Sequence, residues 1–402
     1  MTVAQIATFA LSVLISAAFV LGMVIVVGRA LRHARNAARA RLAAPGRRAL
    51  LALAAGDDAP DNLDALVQLD PAVWRAVEPT AVALLGKVRG EAHAALVLAF
   101  EQRGMGDRAL PELRARGAIR RARAAEVLGN LGRADAVPGL VYLLHDTDRD
   151  VRTVAARALG RIGDPAATRA LLESLAGRHP VPPQTVADAV MRMGADAQPA
   201  LAAALDHSAD LVRATAVEVL GLIGAITVAP RVITALSDDQ SPEVRQRAAA
   251  ALGRLGTRSA LAPLLEAVEP GRPPALRATA ARALGDLGAV ATAPALGALL
   301  SDPEHTVAHA AAYSLLRLGN AGRQVLEHAA GPGPAAGPDP THTAGSAGDR
   351  AAGYAREALA RFDLDDQRRT GEVGATVAPP PSPVTDGSGP VIGSAPTAVG
   401  GR

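Results

Sequence analysis

The sequence predicts an all-α fold: a solenoid of stacked helix pairs, wound as a right-handed superhelix and preceded by one transmembrane helix. Three observations predict it. A short phrase, written VRTVAARALGRIG from Val151, returns as VRATAVEVLGLIG, VRQRAAAALGRLG and LRATAARALGDLG. Hydrophobic residues make up 49% of the chain but aromatic ones only 2%, so Ala and Leu, both strong helix formers, supply the apolar mass and a β-rich fold is disfavoured. No charged residue occurs between Ile6 and Val27.

That apolar run comes first. At ~1.5 Å per helical residue it is long enough for a ~30 Å hydrocarbon core. Arg29, Arg32, Arg35, Arg39 and Arg41 follow it, with no acid among them. A cleaved secretory signal would carry its charge before the apolar run. The positive-inside rule therefore predicts a signal-anchor over residues 1–28, with the N-terminus outside and the rest at the cytoplasmic face. Residues 29–48 read as a basic juxtamembrane segment. Its five arginines from Arg29 to Arg41 are candidates for contact with anionic lipid, at ~1 kcal/mol each. The heavy use of Ala, Gly and Arg, with Lys87 as the only lysine, points to a GC-rich bacterial genome and so to a bacterial inner membrane.

Residues 49–330 read as the solenoid, irregular to about 89 and regular to about 319. Each copy of the phrase ends in an apolar residue and a glycine: Gly132, Gly163, Gly194, Gly224, Gly256, Gly288 and Gly319, never fewer than 30 nor more than 32 residues apart. A period of this size marks stacked supersecondary units. Within one unit, Val151, Val154, Ala155, Ala158, Leu159 and Ile162 fall at steps of three and four, giving one apolar helix face. Gly163 suits a left-handed helix end. Asp164 and Pro165 then suit an N-cap and first helical position, opening the second helix AATRALLESLA. Ser241 and Pro242 repeat that logic. Pro182-Pro183 replaces the Val-Arg start in one unit, so its first helix should begin late or bend. GEAHAALVLAFEQRG reads as a degraded repeat ending at Gly104, with further helices around Trp74.

These residues resemble HEAT-like repeats of the short phycobilin-lyase type. Val151-Arg152, Ala155-Ala156, Leu159-Gly160, Ile162-Gly163-Asp164 and Ala167 carry the resemblance, as do Asp146, Asp239 and Asp302, each five residues before its unit's Val. The resemblance covers roughly Gly90 to Gly319. It implies a fold, since such solenoids host many unrelated activities.

Beyond the array, 331–349 is a Gly/Pro-rich insert. DRAAGYAREALARFD within 350–366 then aligns with the repeat phrase, placing Leu359 on Leu159, Arg361 on Arg161 and Phe362 on Ile162. This segment reads as a capping helix. Residues 367–402, rich in Pro, Gly and Thr, read as a disordered tail.

Cysteine is absent, which excludes disulfides and thiolate chemistry. The resemblance raises one enzymatic alternative: deoxyhypusine-hydroxylase-like proteins bind iron through His-Glu dipeptides in their repeats, and no His-Glu dipeptide occurs in this chain. His309 sits in a repeat helix with no second ligand from another repeat. A bilin-lyase-like activity offers no transferable catalytic motif. No catalytic residue, metal ligand or cofactor site is therefore assigned.

Two arginine columns remain. Arg121, Arg152, Arg213, Arg245 and Arg277 stand at helix starts, where pairing with an Asp of their own or the next turn is expected. Inside the L-G-x-L-G phrase the column reads Asn130, Arg161, Arg192, Leu222, Arg254, Asp286 and Arg317, continuing to Arg361. Arg161, Arg192, Arg254, Arg317 and Arg361 form a candidate partner-binding ridge. The expected role is a membrane-anchored scaffold that recruits a protein partner. A nucleic-acid-binding solenoid is the further alternative, weakened by the lack of aromatic stacking residues.

Overall fold

The computed structural model of the protein describes residues 21–23, 26–29, 41–53, 55, 60–331 and 347–375. Among them every regular element is a helix. Met1–Thr292 and Ala293–Arg402 form two compact units, each described here by itself.

In the first unit, the repeat is two helices joined by a left-handed glycine and a 3-10 turn. The first helices are Ala118–Leu131, Arg149–Ile162, Pro183–Met191, Asp210–Leu222, Pro242–Leu255 and Pro274–Leu287. The second helices are shorter: Val137–Leu143, Thr168–Glu173, Gln198–Ala204, Ala229–Asp238 and Leu261–Ala267. At the start of 149–162, Asp148 accepts hydrogen bonds from the backbone N–H groups of Asp150 (2.9 Å) and Val151 (3.2 Å), satisfying donors that a helix end leaves open. At its end Gly163 adopts φ 74°, and its N–H donates to Leu159 O. Asp164 caps the following 3-10 turn, with Pro165 in its first position.

Of the apolar stripe of 149–162, Val151, Ala155, Ala158 and Leu159 are fully covered, while Val154 and Ile162 are half-buried. Successive first helices meet through the inner glycine of the phrase. A Cβ on Gly129 would lie 2.6 Å from Ala158 Cα, and one on Gly221 would lie 2.7 Å from Ala251 Cα. The phrase thus contains two glycines for two reasons, close helix approach and a left-handed stop. The helix at Pro183 does begin late: Pro183 stands eleven residues before Gly194, whereas Arg149 stands fourteen before Gly163. Upstream, Trp74 and Phe100 are buried edge to face at 5.2 Å, and Arg103 lies 4.5 Å over the Trp74 ring.

The second unit holds His305–Arg317, Asn320–Ala330 and a final helix, Ala347–Ala375. The final helix packs on the other two through Ala351, Ala355 and Ala358, the same phase that buries Val151, Ala155 and Ala158. Leu359 is half-buried and Phe362 exposed, unlike a residue covered by a following repeat. The helix begins before 350 and continues past 366, through the stretch DLDDQRR, composed of residue types that favour or tolerate a helix. The insert residues 332–346 and the tail from 376 lie outside the described residues.

The transmembrane expectation is corrected. Among the described residues no helix is long and apolar enough to cross a membrane. A crossing needs about 20 consecutive apolar residues, and the longest described helix, Ala347–Ala375, is studded with charge. Most of the run Ile6–Val27 lies outside the described residues, and the described parts, 21–23 and 26–27, are far too short. The single-pass placement in a bacterial inner membrane rested on that span and falls with it. Of the five arginines read as lipid contacts, Arg32, Arg35 and Arg39 lie outside the described residues, while Arg29 and Arg41 are exposed.

Candidate functional site

Burying Val151, Ala155, Ala158 and Leu159 leaves Arg157 and Arg161, one turn apart, on the open side of the 149–162 helix. Gly160 meets Ala189 so closely that a Cβ on the glycine would lie 2.6 Å from Ala189 Cα. This contact draws the next first helix near and carries Asp188 and Arg192 to the same side. The result is a groove of about 830 Å³, lined by Arg89, His93, Glu126, Asn130, Arg157, Arg161, Asp188 and Arg192. The late start at Pro183 places Gln184 and Thr185, rather than a full extra turn, at its lip.

Four arginines line this groove. Among the described residues, none of Arg89, Arg157, Arg161 or Arg192 has a carboxylate within ion-pair distance. Arg161 donates to the side-chain carbonyl of Asn130. Its pKa is lowered from the ordinary guanidinium value, first by desolvation and then by the neighbouring charges of Arg192 and Arg157, with Glu126 opposing. Asn130 is only 4% exposed, and its Nδ2 has no hydrogen-bond partner.

The helix-start arginines behave differently. Arg121 grips Asp146 with two bonds of 2.7 and 2.8 Å, and Arg213 grips Asp239 with the same pair of distances. In each case the Asp belongs to the turn opening the next repeat, where it also accepts a backbone N–H, from Asp148 or Ser241. Arg213 holds the Asp239 carboxyl below the usual carboxylate range, against the opposing effect of burial. Arg152 and Arg277 are buried and donate to carbonyls of their own turns: Asp146 and Thr147, and Pro270 and Arg272. Arg121 and Arg213 thus join successive repeats, whereas Arg152 and Arg277 brace their own turns and the buried Arg245 Nε has no hydrogen-bond partner among the described residues.

Of the ridge read from the sequence, the structure brings Arg161 and Arg192 into one groove. Arg254 is exposed and does not line it, and Leu222, 44% exposed, interrupts the column. In the second unit Arg317 is exposed, and Arg361 lies 5.5 Å over the Tyr313 ring and donates to its hydroxyl. Sequence reasoning missed Arg157, which the four-residue spacing to Arg161 could have supplied. It also missed Arg89 and His93, which no repeat mark indexes. His309 is not alone: His305 stands one turn before it, ring centroids 5.6 Å apart, with His305 Nδ1 2.7 Å from the Tyr354 hydroxyl. Among the described residues no group of three or more His, Cys, Asp or Glu could hold a metal ion.

Residues 107–193, 197–272 and 263–335 match the family model described as HEAT repeats, together more than half of the chain. The chain belongs to the HEAT-repeat family. Several solved HEAT-like structures are similar to it. A mutant of Kap121p is 13% identical over 66% of this chain and 34% of its own length, with a TM-score of 0.47. The complex of CpcE and CpcF of phycocyanin lyase from Nostoc sp. PCC7120 is 24% identical over 55% of this chain and 92% of its own, TM-score 0.30. Human deoxyhypusine hydroxylase in complex with glycerol is 24% identical over 64% and 96%, TM-score 0.28. This HEAT-repeat chain therefore spans about a third of the length of Kap121p. At these identities the likenesses concern the fold alone. No curated protein matches the chain.

Proposed function

We propose that this HEAT-repeat chain is a scaffold that holds a protein partner in the groove of its first unit. One observation carries the reading: four arginines without a carboxylate at ion-pair distance line one groove, whereas Arg121 and Arg213 of the same repeats are each paired with an Asp. Clustered like charges repel one another, so such a site is favoured when an oppositely charged surface fills it. The groove is open and shared between successive repeats, which suits an extended partner better than an enclosed small molecule. The proposed role is binding and recruitment.

A photo-crosslinking residue at Gln184, on the lip of the groove, tests this in the native cell. A discrete adduct with another protein is expected there and not at Arg169, whose side chain is 84% exposed on a second helix. Equal labelling at both positions, or none at Gln184, overturns the reading.

A further inference from the structure

Resting on that scaffold reading, we propose that the groove takes an extended acidic segment of the partner, its carboxylates seated on Arg157, Arg161 and Arg192. Arg157 and Arg161 belong to one repeat and Arg192 to the next. Neighbouring helices pack with axes ~8–10 Å apart. A peptide in the extended polyproline II conformation has about three residues per turn and advances ~3.1 Å per residue, so acidic side chains three residues apart share one face and match the step from one repeat to the next.

Asn130 supplies the second, independent observation. Its side chain is 96% removed from solvent, given its 4% exposure, and its carbonyl already accepts from Arg161. Its Nδ2 is a buried donor with no acceptor. Buried donors are almost always satisfied, and one left open beside unpaired cations lacks an oxygen. A carboxylate drawn in by Arg161 brings that oxygen.

The same features argue against nucleic acid. No aromatic ring other than His93 lines the groove, so stacking of bases has no platform. Glu126 and Asp188 stand among the arginines, so the groove does not present the unbroken cationic track that a continuous phosphate backbone follows.

Fluorescence anisotropy with the full chain at physiological salt tests the proposal. The probe is a labelled peptide of about fifteen residues with Glu at every third position, the period of the polyproline II conformation. Controls are the same peptide with Gln for Glu, and single-stranded DNA of equal charge. The acidic peptide should bind at least about tenfold more tightly than its Gln counterpart. Arg161→Glu with Arg192→Glu should abolish binding, Arg161→Gln should weaken it, and Arg169→Glu should leave it unchanged. Unaltered helicity and melting of each variant confirm that folding is intact.

Equal binding of the Gln peptide, stronger groove-dependent binding of DNA, or equal loss in Arg169→Glu overturns the acidic-segment proposal. The crosslink at Gln184 separates the two claims. An adduct that survives Arg161→Glu with Arg192→Glu, beside a peptide that does not bind, leaves the scaffold and removes the acidic partner. Absence of any adduct removes both.

Discussion

Gly160 and Ala189 touch backbone to backbone: a Cβ added to Gly160 would lie 2.6 Å from Ala189 Cα. This contact sets how closely two repeats approach and therefore how closely Arg161 and Arg192 converge. Gly163, three residues on, has open space around it but a φ of 74°. Two glycines in one phrase thus fail for different reasons when substituted.

Gly160→Ala should destabilise the chain by ~1–3 kcal/mol through overpacking, and should also weaken ligand binding in the groove by forcing the helices apart. Gly163→Ala should cost ~1–2 kcal/mol through backbone strain alone, with binding at saturating folded protein unchanged. Chemical denaturation and peptide binding on the same samples check both. Equal binding losses would show that helix spacing does not shape the groove.

How much of this was legible in the sequence depended on which residues the period indexed. Gly163, Gly194 and Leu159 recur at fixed phase, so the repeat and its buried stripe could be read directly. The inner glycine's role as a packing surface follows only once helix faces are known, because spacing alone does not say what Gly160 meets. Arg89 lies in the link before the helix Glu91–Gln102 and His93 in its first turn, an upstream region where no recurring mark gives the register. Asn130 stood in the ridge column, but its neighbours Gly86 and Arg161 are far from it in sequence, so its burial could not be read there. The apolar run Ile6–Val27 was read by hydropathy alone, and the described helices contain no membrane span to support it.

The Arg213–Asp239 pair makes a pH prediction. The folded Asp239 carboxyl titrates below its unfolded value of ~3.9, because Arg213 stabilises its charged form. Its contribution is complete above that unfolded value and is lost as pH falls through the folded pKa. Asp239→Asn should therefore lower stability by ~2–3 kcal/mol at neutral pH. The gap from wild type should stay constant above about pH 6 and narrow below about pH 4. Urea titrations across that range check it. A gap that widens on acidification would contradict the pairing.

The final helix should matter for stability and the residues after it should not. Ala351, Ala355 and Ala358 are buried against the second unit, and the Tyr354 hydroxyl meets His305. Deleting 347–402 should lower the melting temperature by about 5 °C or more, whereas deleting only 376–402 should leave it unchanged within about 1 °C. Differential scanning calorimetry distinguishes the two. Equal effects would mean that the helix contributes no packing.

Hydrogen exchange of the full chain, with and without the acidic peptide, tests the central claim most directly. The groove reading predicts slowed exchange in the backbone around Gly86 to His93, Glu126 to Gly132 and Gln184 to Arg192, and little change around the second helix at Thr168–Glu173. Protection confined to other surfaces, or bound peptide with no protection in those three segments, would contradict it.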